Sequence, residues 1–189
     1  MSVFSPWRTP RLVTRSHIPA TLWSWLFDSA SLTRRLLEVC EGAFEVRVLR
    51  QGWQRPLPDE SRALGLRAAE TVFVREVYLL CHGEPWVFAR TVIPRATLSG
   101  KYRRLTRLGN RSLGAVLFAD KTMRRGDLEI ACLMRGHALF ENATRGLAAR
   151  PPSVWGRRSL FQLGGKPLLL SEIFLHDMSS CKPKSPKPF

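Results

Sequence analysis

Arg75, Arg90 and Glu172 are the residues whose surroundings ask for a chemical explanation. Thr71 to Cys81 (TVFVREVYLLC) and Trp86 to Ile93 (WVFARTVI) are β-rich runs flanking His82-Gly83-Glu84-Pro85, a short segment with turn chemistry. Pairing Cys81 with Trp86 sets Arg75 opposite Val92 and Val77 opposite Arg90, so both arginines share an apolar face with Phe73 and Phe88. Either that face meets water and the arginines snorkel outward, or it lines a closed pocket. In a pocket, two desolvated planar forks must be paired, and their geometry suits carboxylates. Glu172 is the acidic counterpart. In the run Leu168 to Leu175 (LLLSEIFL) it shares a face with Leu168, Leu170 and Phe174. It is either a structural partner for Arg157 or Arg158, or a site residue desolvated enough to take a proton.

Other chemistries find less support. Cys40, Cys81, Cys132 and Cys181 are 41, 51 and 49 residues apart, with no CxxC pair, and His17, His82, His137 and His176 are equally scattered. Zinc-ligand spacing is absent, and no cysteine and histidine stand in a nucleophile pattern. Cys40 and Cys81 end apolar segments and read as small buried hydrophobes.

The elements that must position these residues form one folding unit. A chain of 189 residues with 44% hydrophobic and 24% charged residues suits a single globular domain and argues against a disordered or fibrous chain. Its organisation reads as a basic N-terminal segment at 1–18, a domain at 19–178 and a flexible basic tail at 179–189, where Lys and Pro alternate. No apolar run approaches the roughly 20 residues of a membrane span. The N-terminus, broken by Pro6 and Pro10, has no signal-peptide core, so a cytoplasmic protein without membrane insertion is expected. Thirty Lys plus Arg against 15 Asp plus Glu gives a net charge of +15. That surplus fits nucleic acid, an anionic surface or an anionic small molecule, or else arginines dispersed over a solvated surface.

Thr21 to Phe27 reads as a short amphipathic helix, and Ser31 to Cys40 as a second with Leu32, Leu36 and Val39 on one face. Phe44, Val46 and Val48 alternate with polar residues as in a half-buried strand, and a proline-bounded loop follows through Ser61 to Glu70. Thr97 to Leu108 has helical spacing with Arg103, Arg104 and Arg107 on its outer face, and Ser112 to Phe118 reads as another short helix. Met134 to Pro152 loses periodicity and reads as an irregular insertion. A second hairpin joins Leu160 to Leu163 and Leu168 to Leu175 through Gly164-Gly165-Lys166-Pro167.

Four segments carry a resemblance: RE-x-x-LLC-x-GEPW from Arg75, ARTVIP-x-x-TLSG from Ala89, SLG-x-x-LF from Ser112, and WGRRS-x-x-x-L-x-GKPLLLSE-x-FL from Trp155. In that order, and spread from Pro19 to Leu175, they resemble the chorismate pyruvate-lyase family, whose members begin ubiquinone biosynthesis in many bacteria. The resemblance implies an α+β fold: an antiparallel sheet of about six strands with helices on one side and helical flaps over an internal ligand site. It implies conversion of chorismate to 4-hydroxybenzoate and pyruvate by a monomer, without metal or organic cofactor and without nucleic acid. The family's binding residues match Arg75, Leu113 and Glu172, and a second arginine on the returning strand matches Arg90. Where the family commonly has methionine in a segment SMTKRF, SLTRRL offers Leu32. In this reading Arg75 holds the ring carboxylate and Arg90 stabilises charge on the departing pyruvate enol. Glu172 contacts the C4 hydroxyl and assists proton removal, and Leu32 and Leu113 pack the ring. The rival is a non-catalytic effector-binding module of the same fold, which would sense a small ligand and convert nothing. A nucleic-acid-binding protein is favoured by charge alone, since no RNP, KH or zinc-finger signature is present.

Overall fold

The computed structural model describes residues 5–67, 69–176 and 178. Helix α1 (Ala20–Leu26) and helix α2 (Leu32–Val39) come first, the latter capped by the Ser31 hydroxyl accepting from the Arg34 amide. Strand β1 (Phe44–Gln54) follows. The expected loop after it contains helix α3 (Pro58–Leu64). Pro58 opens that helix, Glu60 reaches back to the Leu57 amide, and Gly65 closes it in the left-handed region at φ 64°. Strands β2 (Val72–Cys81) and β3 (Glu84–Pro94) form the first hairpin, then comes a 3₁₀ segment, Gly100–Arg107, and helix α4 (Leu113–Phe118). Strand β4 (Arg124–Met134) and helix α5 (Ala138–Thr144) lead to the second hairpin, β5 (Ser153–Leu163) and β6 (Lys166–Phe174). The supposed irregular insertion therefore holds one ordered helix. The tail at 179–189 lies outside the described residues.

The six strands form one antiparallel sheet in the order β1-β2-β3-β6-β5-β4. The register of the first hairpin corrects the sequence reading. His82 and Gly83 take positive φ (51° and 82°) and make a two-residue turn, so Cys81 pairs with Glu84 and not with Trp86. The ladder then shifts once between Leu79 and Leu80, after which Arg75 faces Thr91 and Glu76 faces Arg90. Side chains alternate with a period of two, so this one-residue difference from the expected pairing sends Arg75 and Arg90 to opposite faces.

Each face has its own core. On the first, Phe73, Val77, Ala89 and Leu170 are covered by Leu22 and Trp25 of α1, Leu36 of α2 and Leu117 of α4. Helices on one side are the expectation; here the other face carries helices as well. On the second, Tyr78, Phe88 and Ile173 pack against Leu139 and Phe140 of α5 and against Trp7, and Val74 and Leu169 pack against Leu64 of α3. Burial of each such side chain contributes roughly 1.5–3 kcal/mol. The N-terminal chain is drawn in where the Trp7 indole donates to Asp59 at 2.9 Å and Arg8 bridges to Ile130. Cys40 and Cys81 are buried as their apolar neighbours suggest, but they are not free: they form a disulfide with a Cα–Cα distance of 5.3 Å. The pairing of Phe44 with Cys81 brings the end of α2 beside the end of β2, a proximity that spacing in sequence does not reveal.

Candidate active site

The first face of the sheet carries the site. Arg75 of β2, Arg157 of β5, Glu172 of β6 and Arg125 at the start of β4 line a cavity roofed by Leu32 and Thr33 of α2 and by Ser112, Leu113 and Gly114 at the start of α4. Its empty volume is about 490 Å³, a figure that includes the open mouth. Thr91, Phe161 and Leu170 complete the floor.

Three guanidiniums hold the roof down. Arg157 donates from Nε to Glu172 Oε2 at 2.6 Å, and from Nη1 to the carbonyls of Trp25 and Asp28 at 2.6 and 2.7 Å, so it ties the end of α1 to the sheet. Arg125 donates from Nε to Ser159 Oγ at 3.0 Å and from Nη1 to the Ser29 carbonyl at 2.7 Å, in the same α1–α2 connection. Arg75 donates from Nη2 to the carbonyls of Gly109 and Arg111 at 2.8 and 3.0 Å, in the segment leading to α4. The two flaps meet where the Thr33 and Ser112 hydroxyls lie 2.6 Å apart. Gly114 permits that meeting, because a Cβ there would stand 2.9 Å from Thr33 Oγ1.

Electrostatically the cavity holds three arginines and one carboxylate. Glu172 is committed to Arg157, which leaves Arg75 and Arg125 without an acidic partner among the described residues. Burial holds the pKa of Arg75 below the ordinary guanidinium value. Arg125 is lowered too, first by burial and then by the neighbouring Arg157 charge. The Nε of Arg75 is buried and has no acceptor, a donor that a ligand carboxylate would satisfy.

Of the residues singled out in the sequence, Arg75, Glu172, Leu32 and Leu113 come together around this cavity. Arg90 does not. It lies behind the sheet, 1% exposed, with Nε and Nη2 on the two Glu60 oxygens at 2.6 and 3.0 Å and Nη1 on Glu76 Oε1 at 2.6 Å. Burial alone would lower its pKa, but Glu60 and Glu76 together raise it. The placement of Arg90 in the pocket is therefore withdrawn: the two-residue turn at His82-Gly83 alone would keep Arg75 and Arg90 on one face, and the one-residue register shift between Leu79 and Leu80 sends Arg90 to the other. Arg158 is likewise engaged behind the sheet, by Asp59 at 2.8 Å and Glu129 at 2.7 Å. Arg157 is the partner of Glu172, one of the alternatives the sequence offers, and its contacts to the α1–α2 connection have no counterpart in the sequence pattern. Arg125, Thr33 and Ser112 were missed altogether. The strand alternation of WGRRS, which sends Arg157 and Arg158 to opposite faces, was a usable signal for Arg157.

A six-stranded antiparallel sheet whose arginines latch two flaps over a small, partly enclosed cavity presents a net positive pocket on one face of an α+β domain. The chain belongs to the chorismate lyase family: a family model described as "Chorismate lyase" matches residues 7–181. It is 46% identical over 152 residues to a protein of Methylococcus capsulatus described as "Probable chorismate pyruvate-lyase", covering 80% of this chain and 93% of that one. A protein of Azoarcus sp. with the same description is 46% identical over 172 residues, covering 89% and 88%. Among solved structures, a GntR-family transcriptional regulator from Bacillus cereus superposes with a TM-score of 0.51 at 10% identity, covering 78% of this chain and 99% of that one. At that identity the likeness is one of fold alone. Among the described residues no helix is long and apolar enough to cross a membrane.

Proposed function

We propose that this protein converts chorismate to 4-hydroxybenzoate and pyruvate, the step that leads into ubiquinone biosynthesis. The observation that carries the reading is the partly enclosed cavity in which Arg75, with an unfilled buried donor, and the Arg157–Glu172 pair share one floor beneath Leu32 and Leu113. Chorismate bears a ring carboxylate, a C4 hydroxyl and an enolpyruvyl ether with a second carboxylate. Arg75 takes the ring carboxylate on its free edge, and the apolar Leu32 and Leu113 side chains pack the ring and exclude water.

The reaction breaks the bond between the ring and the ether oxygen, with the electron pair staying on that oxygen. The C4–H electrons enter the ring, which becomes aromatic, and the C4 proton leaves. Aromatisation supplies much of the driving force, so the protein's task is to position the substrate and stabilise charge in a dry site. Glu172, steadied at Oε2 by Arg157, contacts the C4 hydroxyl and receives the C4 proton. The released enolate of pyruvate is protonated to the keto acid. We read the protein as a cytoplasmic enzyme acting as a monomer, its site built within one chain.

Incubation with chorismate, following the appearance of 4-hydroxybenzoate and pyruvate in equal amounts, tests the reading. Binding of 4-hydroxybenzoate without conversion of chorismate would instead establish the effector-binding alternative.

A further inference from the structure

Arg125 reaches the cavity through an irregularity in its strand. From Leu128 onward β4 pairs regularly with β5, Leu128 against Ser159 and Ile130 against Arg157, so its even-numbered residues share the cavity face. On that alternation Arg125 would point behind the sheet with Glu129 and Ala131. Between Arg125 and Leu128 the register shifts, Gly126 and Asp127 together standing across from Leu160, and Arg125 pairs with Phe161, a cavity residue. A bulge adds one residue and thereby turns a side chain to the other face, and such bulges occur beside functional sites. Its guanidinium contacts are the Ser159 hydroxyl and the Ser29 carbonyl, both neutral. It is thus a partly desolvated cation beside a second cation, Arg157; Glu172 and Asp28 act on it only at longer range, and neither is within ion-pair distance. A structural arginine in such a place is ordinarily paired.

We infer that Arg125 is the subsite for the second carboxylate of a dianionic substrate, the one on the enolpyruvyl arm. This rests on the reading of the protein as a chorismate lyase. Two arginines without acidic partners, Arg75 and Arg125, match two substrate carboxylates, and the cavity's excess of positive charge matches the substrate's −2. The enolpyruvyl carboxylate and the ether oxygen are attached to the same carbon. A guanidinium on that carboxylate therefore also faces the oxygen that gains the electron pair, and its attraction strengthens as the bond breaks. This gives Arg125 the role that the sequence had suggested for Arg90. It also makes Arg125 a discriminating residue: chorismate and pyruvate carry the carboxylate it binds, and 4-hydroxybenzoate does not.

The test compares the unmodified protein with Arg125→Gln and Arg125→Lys, measuring chorismate turnover, 4-hydroxybenzoate affinity and melting temperature on the same preparations. Arg125→Gln is expected to lose about 10²- to 10³-fold in kcat/KM for chorismate while 4-hydroxybenzoate affinity stays within about threefold. Arg125→Lys keeps the charge without the fork and recovers part of the turnover. Should Arg125→Gln fold poorly, the lysine variant carries the test: a loss confined to chorismate supports the subsite. Equal losses for chorismate and 4-hydroxybenzoate would overturn it and leave Arg125 as a latch on the Ser29 carbonyl. Unchanged chorismate kinetics in both variants would overturn the subsite alone. Failure of the unmodified protein to produce 4-hydroxybenzoate would overturn the lyase reading and the subsite with it.

Discussion

The Nε of Arg157 donates to Oε2 of Glu172 across 2.6 Å, between two residues that face each other directly in the β5–β6 ladder. The bond fixes one oxygen of the carboxylate and leaves the other for a ligand. Glu172→Gln preserves shape and hydrogen-bonding capacity but cannot take a proton. Turnover should fall by roughly 10²- to 10⁴-fold, with a smaller change in 4-hydroxybenzoate affinity. A lowered melting point with near-normal turnover would show that Glu172 serves only as the partner of Arg157.

Arg75→Ala removes the guanidinium whose Nε lacks an acceptor. Binding of 4-hydroxybenzoate should weaken by about 2–5 kcal/mol, as for other truncated partners of a buried charge. Calorimetric titration measures this directly, and parental affinity in the variant would separate Arg75 from the ring carboxylate.

Arg90→Ala should behave in the opposite way. Removing the cation leaves Glu60, 2% exposed, as a buried charge without its cation, and leaves Glu76, 5% exposed, with only Arg50 at 3.5 Å and the Asn142 amide at 3.0 Å. A stability loss of about 3–5 kcal/mol is expected in denaturant unfolding, with little change in turnover per folded molecule. Selective loss of turnover in a variant of normal stability would return Arg90 to the site.

Gly114→Ala places a methyl 2.9 Å from Thr33 Oγ1, at the seam between the flaps. Overpacking of this kind costs about 1–3 kcal/mol and here acts on closure. Release of 4-hydroxybenzoate, followed by stopped flow, should accelerate. An unchanged release rate would mean that ligands leave by a route other than this seam.

His137 caps α5 through Nδ1, which accepts from the Leu139 amide, and burial holds its pKa below 6.5. The unfolded chain therefore binds a proton more readily than the folded one. Its contribution to stability is complete above pH 6.5 and is lost as the pH falls below that value toward the folded-state pKa. The melting temperature should be higher at about pH 7.5 than at about pH 5.5, and His137→Asn, a capping residue that does not titrate, should reduce the difference. Equal pH dependence in the parent and the variant would assign the effect to other groups.

Much of the fold is legible because its signals are local, but strand β4, whose alternation is broken by the bulge at Gly126-Asp127, the first half of β5 and helix α3 are not. Alternation marked β1 and both hairpins, Ser31 marked the start of α2, and the shared face of Leu168, Leu170, Glu172 and Phe174 follows from a period of two. Helix α5 was not legible: seven residues give too few turns for a periodic signal, and its helical state comes from packing Leu139, Phe140 and Ala143 behind the sheet. Arg75, Glu172, Leu113 and Leu32, which the motifs single out, line one cavity. Two backbone irregularities decided the remaining arginines. The register shift between Leu79 and Leu80, where Trp86 is the extra residue, sent Arg90 behind the sheet, and the bulge at Gly126-Asp127 brought Arg125 to the front. A single-residue change of register inverts every side chain beyond it, and the energies that select one register over the other lie in the packing of both faces. Sequence by itself determined which residues alternate along each strand; the tertiary structure decided which face each alternation served, because only there do the two strands of a pair meet.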